Sequence, residues 1–281
     1  MTLERRQIRR VVEMALDEDA PSGDLTSQVF VPAGAMAVAD LVAREPGVFA
    51  GREVFEVAMT TLDPAVEVRT HLDDGEAFSA GDRLAHVEGP ARAVLQSERV
   101  ALNLLQRMCG IATLTAQYVA AVDGTGVRVA DTRKTTPGLR ALERHAVRCG
   151  GGHNHRFSLS DAVMAKDNHL ALIGDLTAAI RSARAALPHT THLEVEVDRI
   201  AQIEPVLAGG VDTIMLDNFT PDELREGVAL VAGRAVVEAS GGVTLDSIAT
   251  IAATGVDVVS VGALTHSARA LDLGLDVVLT A

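Results

Sequence analysis

The sequence has no tryptophan, one tyrosine and two cysteines, and of its 25 basic residues only Lys134 and Lys166 are lysine. Each scarcity excludes something. With no tryptophan and one tyrosine, aromatic platforms on which nucleobases could stack are missing, and a net charge of -13 opposes the positive field that nucleic acid or an anionic membrane demands of a partner. Cys109 and Cys149 are too few for a disulfide framework and fit a reducing cytoplasm, and neither their spacing nor their sequence neighbours suggest zinc. No apolar run reaches the roughly 18 uncharged residues that a membrane span needs. The N-terminal segment reads as an amphipathic helix rather than an export signal.

What is present is 281 residues at 48% hydrophobic content, enough for a sizeable core and for two domains. The pattern is helical to about residue 18. Short apolar pieces broken by turn formers between 36 and 89 then describe a small, largely antiparallel sheet. Residues 91–122 read as one long helix. On it Leu95, Arg99, Leu102 and Gln106 fall in one narrow stripe, which puts Arg99 on a face that otherwise looks buried; from spacing alone, an arginine snorkelling at the edge of that face is the commoner case.

After Gly126 the style changes to short β-branched runs alternating with helical stretches, the mark of βα units around a parallel sheet. Six strands are expected, at 127–130, 162–165, 193–197, 213–216, 236–239 and 258–261. Two of them are launched by the same Gly-Val-Asp turn, at 210–212 and 255–257. Six is fewer than a full barrel of eight, so an incomplete barrel or cryptic strands are expected.

In such barrels the reacting groups stand at the C-terminal ends of the strands. Followed to their ends, the six strands deliver Thr132, Arg133 and Lys134; Lys166; Glu194 and Glu196; Asp217 and Asn218; Ser240, Gly241 and Gly242; and Val261, Gly262 and Ala263. The loops at 240–242 and 261–263 expose backbone N–H groups toward helix starts, a phosphate cradle. A glycine-rich segment at 150–156 adds His153, His155 and Arg156, suited to carboxylate or phosphate, with a His-x-His metal pair as the second reading.

An encoding bias toward arginine converts any surface lysine that tolerates the change. Chance survival explains one remaining lysine, but both stand inside dense polar clusters. Arg133, Lys134, Arg156 and Lys166 make a strong anion site. Glu196 and Asp217 supply carboxylates suited to a phosphorylated ribose whose pyrophosphate carries Mg²⁺. Mutual pairing of these acids and bases is the structural alternative, although buried pairing is a poor source of stability.

Taken in order, these motifs resemble the quinolinate phosphoribosyltransferases, or nicotinate-nucleotide pyrophosphorylases (carboxylating), of the type II phosphoribosyltransferases. Gly-Asp-Leu-Thr-Ser at 23–27, the Glu-Arg…Gln-Arg helix at 98–107, Asp-Thr-Arg-Lys-Thr-Thr-Pro-Gly at 131–138 and the segment 150–156 all follow the family pattern. So do Lys-Asp-Asn-His at 166–169, Glu-Val-Glu-Val-Asp at 194–198, Met-Leu-Asp-Asn at 215–218, Ser-Gly-Gly at 240–242 and Leu-Thr-His-Ser at 264–267. The departures are small. Cys109 stands where serine is usual, and Ala165 replaces a larger apolar residue.

The resemblance implies an N-terminal α/β sandwich over 1–110 and an incomplete α/β barrel over 111–281, the C-terminal end packing back on the first domain. It implies a head-to-tail homodimer in which Arg99 completes the partner's site. It also implies that Arg133, His155 and Arg156 hold the quinolinate carboxylates, with Lys134 and Lys166 bridging toward phosphoribosyl pyrophosphate (PRPP). Glu196 and Asp217 would face the ribose and magnesium, and the Ser240–Gly242 and Val261–Ala263 loops the 5′-phosphate. No organic cofactor is implied. The expected reaction yields nicotinic acid mononucleotide, pyrophosphate and carbon dioxide for NAD biosynthesis. Three alternatives stand beside it: a paralogue acting on another aromatic acid, a barrel aldolase or decarboxylase forming a Schiff base on Lys166, and a non-catalytic phosphometabolite binder.

Overall fold

The computed structural model describes residues 3–280. Two compact units emerge, neither of them a single run of sequence. The first takes the chain up to Ala116, Thr135–Gly151 and everything from Thr265 on; the second takes Gln117–Lys134 and Gly152–Leu264.

In the first unit, α1 (Arg5–Asp19) buries Ile8, Val11, Val12 and Leu16, whose spacing of one, three and four residues makes one apolar stripe. The next helix, α2 (Leu25–Phe30), is started by the Asp24 carboxylate, which accepts the Thr26 backbone N–H. There follow β1 (Met36–Ala43), β2 (Gly47–Val48), α3 (Arg52–Thr60), β3 (Glu67–Thr70), β4 (Ala77–Phe78), β5 (Arg83–Pro90) and α4 (Ala91–Ala121). Alternate residues of β1, namely Ala37, Ala39, Leu41 and Ala43, are buried, the period of two that gives a strand one wet and one dry face. The expected antiparallel sheet forms in the order Leu273–Thr280, β1, β5, β3.

On the long helix Arg99 stands at the edge of the buried face, the arrangement that spacing alone makes the commoner. On α4, Val94, Ser97, Ala101, Leu102, Leu105 and Met108 are buried, whereas Arg99 is exposed and Leu95 and Gln106 are only half-buried. The stripe through Arg99 therefore lies at the border of the buried face, because over many turns an apolar pattern at mixed three- and four-residue spacing defines that face only broadly.

Gln106 and Arg107, on α4, fasten the rest of this unit. Gln106 donates to the Leu273 carbonyl at 2.7 Å, and Arg107 donates to the carbonyls of Ala268 and Thr265. Arg107 also donates twice, at 3.1 and 3.0 Å, to Glu143, a buried residue of α5 (Arg140–Cys149). The Glu143 carboxylate further accepts the Thr136 backbone N–H at 3.0 Å and hydroxyl at 2.7 Å. A carboxylate out of water is tolerable only when its lone pairs are filled in this way.

The second unit holds β6 (Arg128–Ala130), β7 (Val163–Ala165), β8 (Leu193–Val197), β9 (Thr213–Asp217), β10 (Val236–Ser240) and β11 (Val258–Ser260). Each agrees with its expected bounds within one residue. They form one sheet in the order β6, β11, β10, β9, β8, β7, with every pairing parallel. Between and after them come α6 (Asp167–Leu170), α7 (Leu176–Ala186), α8 (Ile203–Gly209), α9 (Pro221–Val231), α10 (Leu245–Ala252) and α11 (Ala263–His266). Among the described residues β6 and β7 do not pair, so the barrel is open. Beside β6 runs the segment around His153, whose N–H donates to Val129 at 2.8 Å and whose carbonyl accepts from Asp131 at 2.9 Å.

The repeated Gly-Val-Asp turn is a strand clip. Gly210, the C-cap of α8, and Gly255, shortly past the end of α10, take left-handed backbone with φ of 88° and 92°, where a side chain would be strained. Val211 and Val256 are buried. Asp212 and Asp257 then start the next strand and reach sideways. The Asp212 carboxylate accepts the Leu193 N–H at 2.7 Å, and that of Asp257 accepts the Val237 N–H at 2.8 Å. Each clip thus fixes the register of two parallel neighbours at the end opposite the active rim.

Candidate active site

At the C-terminal ends of the strands lies a cleft of about 360 Å³, lined by Thr132, Arg133, Lys134, His155, Arg156, Lys166, Glu196, Asp217 and Ser240, together with Met164, Met215 and Ser260. The first nine are residues singled out from sequence. Lys134, Lys166, Arg133 and Arg156 therefore share one concavity. Gly241, Gly242, Val261, Gly262 and Ala263 are not among the residues lining it, and Arg99 lies on α4. Met164, Met215 and Ser260 were missed. Alternation was the available signal, since they sit on the inward-facing register of β7, β9 and β11, but methionine and serine carry no charge to draw the eye.

Parallel pairing places these groups by rank. Glu196 sits opposite Met215, and Asp217 opposite Ser240, at the top of the sheet. Lys166 directly follows β7, and its Nζ lies 2.5 Å from Glu196 Oε2. The Asp217 carboxylate accepts the Asn218 side-chain amide at 2.6 Å. Lys166 is thus held against a carboxylate.

The cationic side of the cleft is crowded. Burial, and after it the neighbouring Arg133 charge, lowers the Arg156 pKa below the ordinary guanidinium value. Two guanidinium groups that disfavour each other's charge are relieved by an anion placed between them. The Arg156 guanidinium also donates to the Ala162 carbonyl at 3.1 Å, which ties it to the start of β7.

Beneath the cleft the barrel interior holds a second polar layer. His155 Nε2 lies 3.1 Å from Glu194 and 3.6 Å from Glu238, both acids being buried. Its Nδ1 accepts the Arg156 backbone N–H at 2.7 Å, and its own backbone N–H donates to Asp131 at 2.9 Å. Burial disfavours charge on His155, but the Glu194 hydrogen bond and the charges of Glu238 and Glu194 prevail, so its pKa is raised. A second ring proton would cost the Arg156 bond, which limits that rise. Glu238 is pushed up to about 7 by burial and by the charge of Glu194. His153 does not join this cluster; among the described residues the grouping is His155, Glu194 and Glu238, so the His-x-His reading is not what the fold builds. A lower cavity of about 530 Å³ follows, lined at the strand starts by Arg128, Thr213, Val236 and Val258.

Gly241 has φ of 94°, and a Cβ there would stand 2.2 Å from Asn218 Oδ1 and 2.8 Å from Asn218 N. Asn218 itself has φ of 59° and donates its N–H to the Ser240 carbonyl at 2.9 Å. Thr244 then starts α10 in a reciprocal capping arrangement with Ser247.

Comparison with known proteins agrees with this geometry. The model for the quinolinate phosphoribosyl transferase N-terminal domain matches residues 24–109, and that for the C-terminal domain matches residues 111–276. A probable nicotinate-nucleotide pyrophosphorylase (carboxylating) of Bacillus subtilis (strain 168) is 43% identical over 274 residues, covering 98% of this chain and 94% of its own. The nicotinate-nucleotide pyrophosphorylase (carboxylating) of Mycobacterium leprae (strain TN) is 44% identical, covering 95% of this chain and 96% of its own. The crystal structure of NadC from Streptococcus pyogenes superposes with a TM-score of 0.95 at 41% identity, covering all of both chains. On the family models and on these relatives, the chain belongs to the quinolinate phosphoribosyltransferase family.

Proposed function

We infer that this protein transfers the phosphoribosyl group of PRPP to quinolinate with decarboxylation, giving nicotinic acid mononucleotide, pyrophosphate and carbon dioxide in de novo NAD biosynthesis. The observation that carries the reading is the single cleft in which Arg133, Lys134, Arg156 and Lys166 face Glu196 and Asp217. It suits two strongly negative reactants, one of which carries sugar hydroxyls.

In this reading Arg133, Arg156 and His155 hold the quinolinate carboxylates, and Lys134 and Lys166 lie toward PRPP. Glu196 and Asp217 are the donors that fit magnesium brought in with PRPP, being hard oxygen ligands in an open cleft. Magnesium, when bound, neutralises charge on the departing pyrophosphate. The Ser240–Gly242 and Val261–Ala263 loops take the 5′-phosphate. No organic cofactor is called for, because the reactants carry the chemistry themselves.

The pyridine nitrogen donates its lone pair to the anomeric carbon, and the bond to pyrophosphate breaks with its electron pair leaving on oxygen. The residues contribute position and field rather than covalent chemistry. The ring nitrogen is then cationic. When the adjacent carboxylate leaves as carbon dioxide, the electron pair left on the ring carbon is stabilised by that neighbouring charge until a proton replaces it.

The Schiff-base alternative is disfavoured by the Lys166–Glu196 ion pair. A head-to-tail homodimer completed by Arg99 is supported by two features of the single chain: Arg99 is exposed on α4, and Leu25, Val29 and Phe30 of α2 are 70%, 77% and 81% exposed. Apolar side chains gathered on one short helix fit an interface. Scarce cysteine supports a cytoplasmic setting. No helix among the described residues is long and apolar enough to cross a membrane.

The test is incubation with PRPP, Mg²⁺ and either quinolinate or nicotinate, scoring mononucleotide and carbon dioxide. Turnover of quinolinate with stoichiometric carbon dioxide is expected. A preference for nicotinate removes the assignment.

A further inference from the structure

We propose that Asp74, His145 and Cys149 form a binding site for a zinc-type divalent cation in the first unit, built from residues none of which lines the cleft. His145 and Cys149 are one helical turn apart on α5 and so share a face. Asp74 comes from the turn before β4, 71 residues upstream of His145, and its Oδ2 lies 2.6 Å from His145 Nε2. One ligand atom from each of the three residues falls within 4.8 Å of the others. In sequence the cysteines carried no zinc spacing; the third ligand was hidden by that separation.

Three features distinguish this cluster from an ordinary ion pair. First, Asp74 is pre-oriented: Oδ1 accepts the backbone N–H groups of Gly51 and Arg52 at 2.8 and 2.9 Å, which leaves Oδ2 to face His145. Such a fixed, hydrogen-bonded carboxylate is what a one-oxygen metal ligand needs behind it. Second, Cys149 is the last residue of α5, where the carbonyl end of the helix favours positive charge. Third, an Asp–His pair gives no reason for a thiol beside it.

Thiolate, imidazole and carboxylate together match zinc, with Zn–S near 2.3 Å and Zn–N and Zn–O near 2.0–2.2 Å, and three protein ligands leave a fourth position for water. Binding exchanges the thiol proton for the metal, Cys–SH plus M²⁺ giving Cys–S–M⁺ plus H⁺, with no change of oxidation state. Cys109 is outside the set; its thiol is fully buried and directed at the Ala50 carbonyl at 3.6 Å.

The experiment is titration of the reduced, metal-free full-length protein with Co²⁺, followed by displacement with Zn²⁺. One equivalent of Co²⁺ is expected to give visible bands of tetrahedral intensity and a near-ultraviolet thiolate-to-cobalt charge-transfer band. Cys149→Ser is expected to lose the charge-transfer band, and His145→Ala to lose the tetrahedral bands. Cys109→Ser should keep both, and circular dichroism verifies that each variant is folded. No charge-transfer band at stoichiometric Co²⁺, or a band that survives Cys149→Ser, overturns the proposal.

Discussion

At the scale of single residues, the site works by placing charge where it is uncomfortable. Glu238 is the clearest case. Its pKa is pushed from 4.5 up to about 7 by burial and by Glu194, so the folded state holds a proton there that the unfolded chain has released. The folded protein is thus favoured below about pH 4.5, and that advantage is lost as pH rises through about 7, at a cost of about 3 kcal/mol. Glu238→Gln should flatten this dependence and raise stability at neutral pH relative to the parent. Urea midpoints at about pH 5 and about pH 8 check it; an unchanged slope in the variant contradicts it. Residue identity was also where the sequence was most legible. Lys134 and Lys166, the only lysines of the chain, line the same cleft. Met164 and Met215 were not legible, because an apolar residue in a strand announces burial but not which cavity it borders.

At the scale of elements, six strands were readable because each is a short β-branched run ended by polar residues, and their ends moved by at most one residue. The Gly-Val-Asp repeat was readable as a motif but not as a mechanism. Its purpose depends on side-chain reach across to the neighbouring strand, which periodicity does not encode. Asp257→Ala leaves the buried Val237 N–H without its acceptor, and about 1–3 kcal/mol of stability should be lost. Equilibrium denaturation measures it, and a loss below about 0.5 kcal/mol would show that water replaces the clip. The place of Arg99 on α4 was legible only as two alternatives, inside the buried face or at its edge, for a related reason. A helix this long passes several neighbours, and the buried side is set by what packs against it rather than by its own pattern. The segment at 150–156 was legible as a source of His155 and Arg156, but its bond to β6 rests on backbone pairing that no side chain advertises.

At the scale of the whole molecule, an acidic protein gathers positive charge at one rim. The chain's net charge of -13 repels anions at long range, whereas the rim attracts them at short range, a contrast that salt weakens little inside a cleft. Assembly is argued at this scale too. If Arg99 serves the partner's site, Arg99→Ala and Lys166→Ala homodimers are each inactive for different reasons. Mixing and subunit exchange should then restore activity by forming sites that carry both residues. A mixture as inactive as its components contradicts the shared site.

The account rests on Lys134, Lys166, Arg133 and Arg156 acting together on two anions, and the most direct test is turnover of quinolinate and PRPP by Lys134→Ala. Lys134 is exposed, so its removal should leave the protein folded. The expected loss in kcat/KM is on the order of 100-fold or more, the scale of one preorganised charge at a reacting centre. A folded Lys134→Ala variant with full activity would contradict the claim.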